Sequence, residues 1–159
     1  MDLVNIPREL DTDDLHLRPL DMSDDEGMYE ILADVQSMKY WSNKPVNDIE
    51  EARQFLREDL ESDANGNSLC WAITFKGQDQ LIGKCILFNF SPKNYRAEIG
   101  FILNRKYWRR GLMRQALEAL IDFAFNDLNL HRLEADTDTE NAGSMALLES
   151  LGFKREGLF

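Results

Sequence analysis

The sequence predicts an α/β protein built on one mixed sheet, and three observations predict it. Three successive short runs, 69–75, 81–88 and 95–103, read as strands, with Trp71, Ile73 and Phe75 on one face of the first and Tyr95, Ala97, Ile99, Phe101 and Leu103 on one face of the last. From Gly111 apolar residues recur instead at helical spacing, through Met113, Ala116, Leu117, Leu120, Ile121 and Ala124. A strand-like run at 133–137 and a helical one at 141–151 follow, so the second half holds a strand–helix–strand crossover.

Taken in order, Leu15-His16-Leu17-Arg18-Pro19-Leu20 alternates and reads as the first strand, which Pro19 helps to end. Ser23 is the expected N-cap of a helix, with Asp24, Asp25 and Glu26 facing the positive end of its dipole and Met28, Ile31, Leu32 and Val35 as its apolar stripe. The loop that follows carries the adjacent aromatics Tyr40 and Trp41. Asn47 or Asp48 caps a second helix with the stripe Ile49, Ala52, Phe55, Leu56 and Leu60. Asp63 to Asn67 is a turn into the three strands, and Lys76-Gly77-Gln78-Asp79 is the turn between the first two of them. Phe153 opens a final strand. The predicted order is β-α-α-β-β-β-α-β-α-β, in one domain of 159 residues, with no internal repeat or linker.

Formal net charge is −11, from 29 acidic against 18 basic residues, a balance that repels nucleic acid and anionic membranes and favours cationic partners. No apolar run reaches the roughly 18–20 residues of a membrane span, and the first residues lack a basic, then apolar, leader, so a cytoplasmic location is expected. Cys70 and Cys85 both sit in strand-like apolar runs and read as buried free thiols; with two histidines and no ligand spacing, no metal site is expected.

Against this acidic background, Asn104-Arg105-Lys106-Tyr107-Trp108-Arg109-Arg110-Gly111-Leu112-Met113-Arg114 stands out. A strand ends, a basic turn containing glycine follows, and a helix begins, which puts unpaired backbone N–H groups and five cations in one place. Glycine allows close backbone approach to an oxygen. On these residues alone the turn is either an anion site or a solvated basic face.

The downstream series is more specific. Asp122-Phe123-Ala124-Phe125, Leu128-Asn129-Leu130-His131-Arg132-Leu133, Thr139-Glu140-Asn141-Ala142-Gly143-Ser144 and Leu151-Gly152-Phe153-Lys154-Arg155-Glu156-Gly157 come in one order. Together with the turn, they resemble the GNAT acetyltransferases, in particular the type that acetylates N-termini of ribosomal proteins (RimJ/RimL). The resemblance implies the GNAT fold and acetyl-CoA as co-substrate. It implies a phosphate cradle at Trp108, Arg109, Arg110, Gly111, Leu112 and Met113, where Met113 stands in place of the usual small residue. It also implies a pantetheine arm running along the strand near Ile102 and Leu103, contacted by Asn141, which otherwise reads as a helix N-cap.

Acetylating an amine needs a neutral amine, a polarised thioester and a proton for the leaving thiolate. Glu98, at the start of the cofactor-side strand, is the candidate base, against the plainer reading of a paired surface carboxylate. The resemblance implies that Ser144 lies near the cofactor sulfur, which makes it the candidate proton donor to the thiolate, against a plain first-turn serine. It also implies that the loop of Tyr40 and Trp41 walls the acceptor site, against a place for them in the core. The acceptor is expected to be a protein N-terminal amine, with a polyamine or other small amine as the rival, and a non-catalytic coenzyme A-binding module as the reading from a different class. The chain stops just after its last expected strand begins, where the family continues for two more. An open strand edge would then be left for a partner to cover, as in a homodimer.

Overall fold

The computed structural model describes residues 3–41, 43–138 and 140–156. Strand β1 (Leu10–Asp11) pairs with β2 (Leu15–Pro19), and β3 (Ser68–Phe75), β4 (Gly83–Ser91) and β5 (Arg96–Leu103) extend the antiparallel ladder. Strand β6 (Arg132–Glu134) joins β5 in parallel, so strand order across the sheet is the order along the chain. Helices α1 (Asp25–Leu32) and α2 (Ile49–Ala64) lie between β2 and β3, α3 (Leu112–Asn126) carries the crossover from β5 to β6, and α4 (Ala142–Ser150) follows β6. This is the mixed α/β architecture that the periodicities predict. The two-residue β1 is an addition, too short for alternation to mark.

The entry to α1 departs from expectation. Asp21, not Ser23, is the cap: it accepts the Ser23 N–H at 2.9 Å, while the Asp24 carboxylate accepts the Asp21 N–H at 2.8 Å, closing a box around a 3₁₀ turn, Met22–Asp24. A carboxylate is a stronger acceptor than the Ser23 hydroxyl. Buried Asp24 is also gripped by both terminal nitrogens of Arg18, at 2.7 and 3.0 Å, and Arg18 donates further to the Asp79 carbonyl at 2.8 Å. One guanidinium thus ties β2, the start of α1 and the β3–β4 connection together. Helix α1 ends at Leu32, so Val35 falls outside its stripe and is 67% exposed. Asp48 caps α2 as expected, accepting from Glu51 at 2.9 Å.

Both faces of the central strands are covered, which is why β3 reads as an almost continuous apolar run. Leu69, Trp71 and Ile73 point to the face packed by α3, where Leu117, Leu120 and Phe123 meet them; Cys70 and Ala72 point to the face packed by α1 and α2, beside Ile31 and Leu56. Trp71 is wholly buried, sets its ring edge-on to Phe123 at 5.5 Å and gives its indole N–H to the Arg8 carbonyl at 2.7 Å. Buried Lys84 on the α1–α2 side is neutralised by Asp59 at 2.7 Å.

The end of the described chain also departs from the predicted order. Residues 153–156 form no strand. Instead Phe153 completes the stop of α4: its N–H donates to Leu148 and that of Gly152, at φ 99°, to Glu149, the two bonds of a Schellman cap. The last three residues of the sequence lie outside the described residues. Strand β6 is likewise shorter than the predicted 133–137.

Two expectations follow for stability. A Cβ on Gly27 of α1 would lie 2.7 Å from the Leu81 carbonyl oxygen and 3.0 Å from the Leu81 Cβ, so Gly27→Ala must push the helix off the sheet. It should cost about 1–3 kcal/mol in urea unfolding, the usual penalty of overpacking. His16 binds Asp11 at 2.9 Å and Glu9 at 3.3 Å, and the hydrogen bond to Asp11 foremost raises its pKa above the ordinary 6.5, against partial desolvation. This contribution is fully present below pH 6.5 and is lost as pH rises through the raised value. The Tm gap between wild type and His16→Gln should therefore be widest near the acid side of neutrality and close in mild alkali.

Candidate active site

Pairing between β5 and β6 covers Arg96↔Arg132, Ala97↔Leu133 and Glu98↔Glu134, yet β5 runs on to Leu103. Beyond Glu98 the two strands part. On its other side β5 stays registered with β4 through Leu103↔Gly83, and Asn104 donates its N–H to Ile82 at 2.8 Å. Alternate residues bond across an antiparallel ladder, so bonding at Asn104 leaves the backbone groups of Phe101 and Leu103 directed into the opening. Ile102 keeps its backbone groups on the β4 side and buries its side chain against α1 and α2. Of the two positions expected along the pantetheine, Leu103 thus faces the opening by its main chain. Its carbonyl already accepts the Trp108 indole N–H at 2.8 Å.

At the wide end of the opening the chain makes one 3₁₀ turn, Arg105–Tyr107, capped by Asn104, whose side chain accepts the Lys106 N–H at 3.0 Å. Arg109 at φ 65° and Gly111 at φ 74° are both left-handed, and α3 begins at once. No side chain caps that helix, and the N–H groups of Arg110, Gly111, Leu112, Met113 and Arg114 have no acceptor among the described residues. Successive free N–H groups in such a turn form a concave donor site for anionic oxygens. A Cβ on Gly111 would meet nothing within 4 Å, so the glycine is required by its φ, and the space above it is open. Leu112 and Met113 turn their side chains into the α3-side core, at 5% and 9% exposure. The bulk of Met113 therefore does not enter the cradle.

The five cations of this segment do not act together. Arg105 pairs with Asp34 at 3.1 Å, Lys106 with Glu30 at 2.8 Å and Arg114 with Glu118 at 2.9 Å. Arg114 also reaches the Ser150 hydroxyl at 2.6 Å, tying the start of α3 to the end of α4. Exposed Arg109 and Arg110 have no carboxylate partner among the described residues; the Arg110 guanidinium lies over the Tyr107 ring at 5.6 Å. The free positive charge is thus confined to the two residues next to the open N–H groups.

At the narrow end stands Glu98, half-buried on the α1–α2 face of the sheet. Asn89 donates its side-chain N–H to Glu98 Oε2. Glu134 lies beside Glu98 on β6, where the Arg132 hydrogen bond foremost, with the charge of Arg96, holds its carboxyl below the ordinary range against partial desolvation. Asn89 and Glu134 were not anticipated: a bulge in β4 and the last bonded pair of two strands leave no periodic trace. Asn141 caps α4, its Oδ1 accepting the Ser144 N–H at 3.1 Å, and Leu147 and Leu151 pack that helix and its end on the α3 side. Glu98 nevertheless also lines, with Met145 of the Ser144 helix, the groove between β6, α3 and α4. Tyr40 is half-buried beneath the Lys39 ammonium and Trp41 is 38% exposed, so neither is a core residue. No hydrogen bond or ring contact among the described residues joins either aromatic to Glu98 or Ser144. That groove between β6, α3 and α4 is one of about 560 Å³ whose apolar lining includes Ile121, Phe125, Met145 and Phe153.

Residues 14–154 match the family model described as acetyltransferase (GNAT) domain. The chain belongs to the GNAT acetyltransferases. An uncharacterised N-acetyltransferase, p20, of Bacillus licheniformis is 35% identical over 92% of this chain and 83% of its own length. A spermidine N(1)-acetyltransferase of Vibrio cholerae is 24% identical over 90% of this chain and 80% of its own. The solved structure of a protein assigned as a ribosomal-protein-serine acetyltransferase, also of Vibrio cholerae, superposes with a TM-score of 0.85 at 27% identity, covering 95% of this chain and 86% of that one. GNAT acetyltransferases use acetyl-CoA as the acetyl donor, and the cradle of free N–H groups, two unpaired arginines and open space suits the phosphates of that molecule.

Neither cysteine of this GNAT chain is placed for chemistry. Burial pushes the thiols of Cys70 and Cys85 up to about 12, and both are free. Native protein at pH 8 should therefore show essentially no reaction with a disulfide thiol reagent, and both thiols should react once denaturant is added.

Proposed function

We propose that this acetyltransferase passes the acetyl group of acetyl-CoA directly to a primary amine, and that the acceptor is a protein N-terminus. The observation that carries the reading is the opening between β5 and β6, with a donor-rich cradle at its wide end and a carboxylate at its apex. In this reading the N–H groups of 110–113, with Arg109 and Arg110, hold the phosphates. Trp108 braces the turn against β5, the Leu103 backbone pairs with the pantetheine, and Asn141 meets it from α4. Glu98 takes the proton from the attacking amine, through a water. The amine nitrogen bonds to the thioester carbon, the carbon–sulfur bond breaks, and Ser144 relays a proton from solvent to the leaving thiolate, giving a neutral thiol and an intact hydroxyl while Glu98 returns its proton to solvent. Tyr40 and Trp41 border the acceptor approach.

Similarity to the assigned ribosomal-protein-serine acetyltransferase supports the N-terminal acceptor. Similarity to the spermidine enzyme, with a net charge of −11, favours a polyamine as the second reading.

Calorimetric titration of acetyl-CoA, beside an Arg109→Glu/Gly111→Asp double variant, tests the cradle; saturable binding by wild type that is lost in the variant is expected. Glu98→Gln should lower kcat/KM by about a hundredfold and Ser144→Ala by about tenfold, with the acetyl-CoA Kd unchanged. Peptides with free Ser or Ala N-termini should release free thiol when mixed with enzyme and acetyl-CoA, and N-terminally blocked ones should not. Turnover with spermidine alone would transfer the assignment to the polyamine. Undiminished turnover in Glu98→Gln would remove that residue from the reaction.

A further inference from the structure

The β4–β5 ladder is regular from Gly83↔Leu103 to Phe88↔Glu98 and then shifts register before Ser91↔Arg96. The displaced residue is Asn89, held at φ 50°. Left-handed backbone is uncommon outside glycine, and asparagine is among the few residues that adopt it readily. Such conformations persist where surrounding contacts enforce them, and they gather at functional positions. The consequence here is specific. In a regular strand Asn89, next after the Glu98 partner Phe88, would point to the opposite face of the sheet. The bulge instead brings its amide onto Glu98.

We propose that Asn89 is the positioning residue of Glu98, fixing the carboxylate through one oxygen so that the other faces the acceptor amine. The assignment rests on Glu98 being the base. A carboxylate only accepts, so the amide must present its N–H₂ to Oε2, which leaves Oε1 without a partner among the described residues. The remaining charges around Glu98 are already paired: Glu134 accepts from Arg132 at 2.8 Å and lies 3.5 Å from Arg96, and Arg132 also binds Glu156. Asn89 is thus the neutral donor of the group, and it holds the carboxylate without neutralising it.

Two variants test this. Asn89→Gly keeps a residue suited to positive φ, and so the bulge, but removes the amide; Asn89→Asp keeps the shape and replaces the donor with a like charge. Wild-type acetyl-CoA affinity by calorimetry and a wild-type Tm in Asn89→Gly are expected, with kcat reduced about tenfold. In Asn89→Asp the acid limb of the kcat/KM–pH profile should move up by about half a unit or more. The Glu98 carboxyl resonance in a ¹³C titration, identified by its absence in Glu98→Gln, should move with it; Glu134, Arg96 and Arg132 are untouched in both variants. Wild-type turnover in Asn89→Gly, or an unmoved resonance and acid limb in Asn89→Asp, overturns the role of Asn89. The base assignment fails separately, by undiminished turnover in Glu98→Gln.

Discussion

Everything at the candidate site depends on the loss of pairing between β5 and β6 after Glu98↔Glu134. A buried strand that loses its neighbour leaves hydrogen-bonding groups that something must satisfy. Strand β5 can carry that deficit because its other edge stays bonded to β4 and both its faces are packed, Ile99 and Leu103 on one and Ile102 on the other. The β5 wall of the opening is therefore held along its other edge and on both faces. Trp108 satisfies one carbonyl of the exposed edge, and the rest of that edge resembles a strand waiting for a partner. An amide-bearing chain laid along it would complete the sheet locally.

The electrostatics follow a similar economy. An acidic protein must hold a polyanion somewhere, and a count of five nearby cations overstates how it does so. Glu30 of α1 and Asp34 just beyond it bind Lys106 and Arg105 and so fasten that helix to the turn, while Glu118 binds Arg114 within α3. The charge left over lies on Arg109 and Arg110, beside backbone donors that need no counter-charge of their own. Arg18, at the other end of the sheet, has a purely architectural part: its bonds to Asp24 and Asp79 hold α1, and with it Glu30 and Asp34, in place.

Much of this was legible in the sequence, for identifiable reasons. The strands from Ser68 to Leu103 announce themselves as short apolar runs bounded by turns, and helix α3 through its helical period. The strand–turn–helix segment ending at Gly111 is legible because its chemistry is local. What escaped was decided by competition or by a distant partner. Ser23 was a sound cap by residue type, but the carboxylate of Asp21, two residues earlier, caps the turn instead. Val35 fits a helical stripe, but the helix ends three residues before it, at Leu32. Phe153 has the apolar character of a strand opening, but the turn at Gly152 spends its N–H on Leu148. Asn89 gives no signal in one sequence, since its meaning arises only where a bulge turns it toward Glu98.

Leu112 and Met113 divide their labour between two masters, offering their N–H groups outward while burying their side chains in the core. Ligand recognition built this way is insulated from side-chain identity. At these two positions the core alone judges a replacement, and any apolar residue of suitable volume leaves the cradle as it was. Such a site can travel a long evolutionary distance with its geometry intact, and relatives that share only a quarter of their residues can still share one shape.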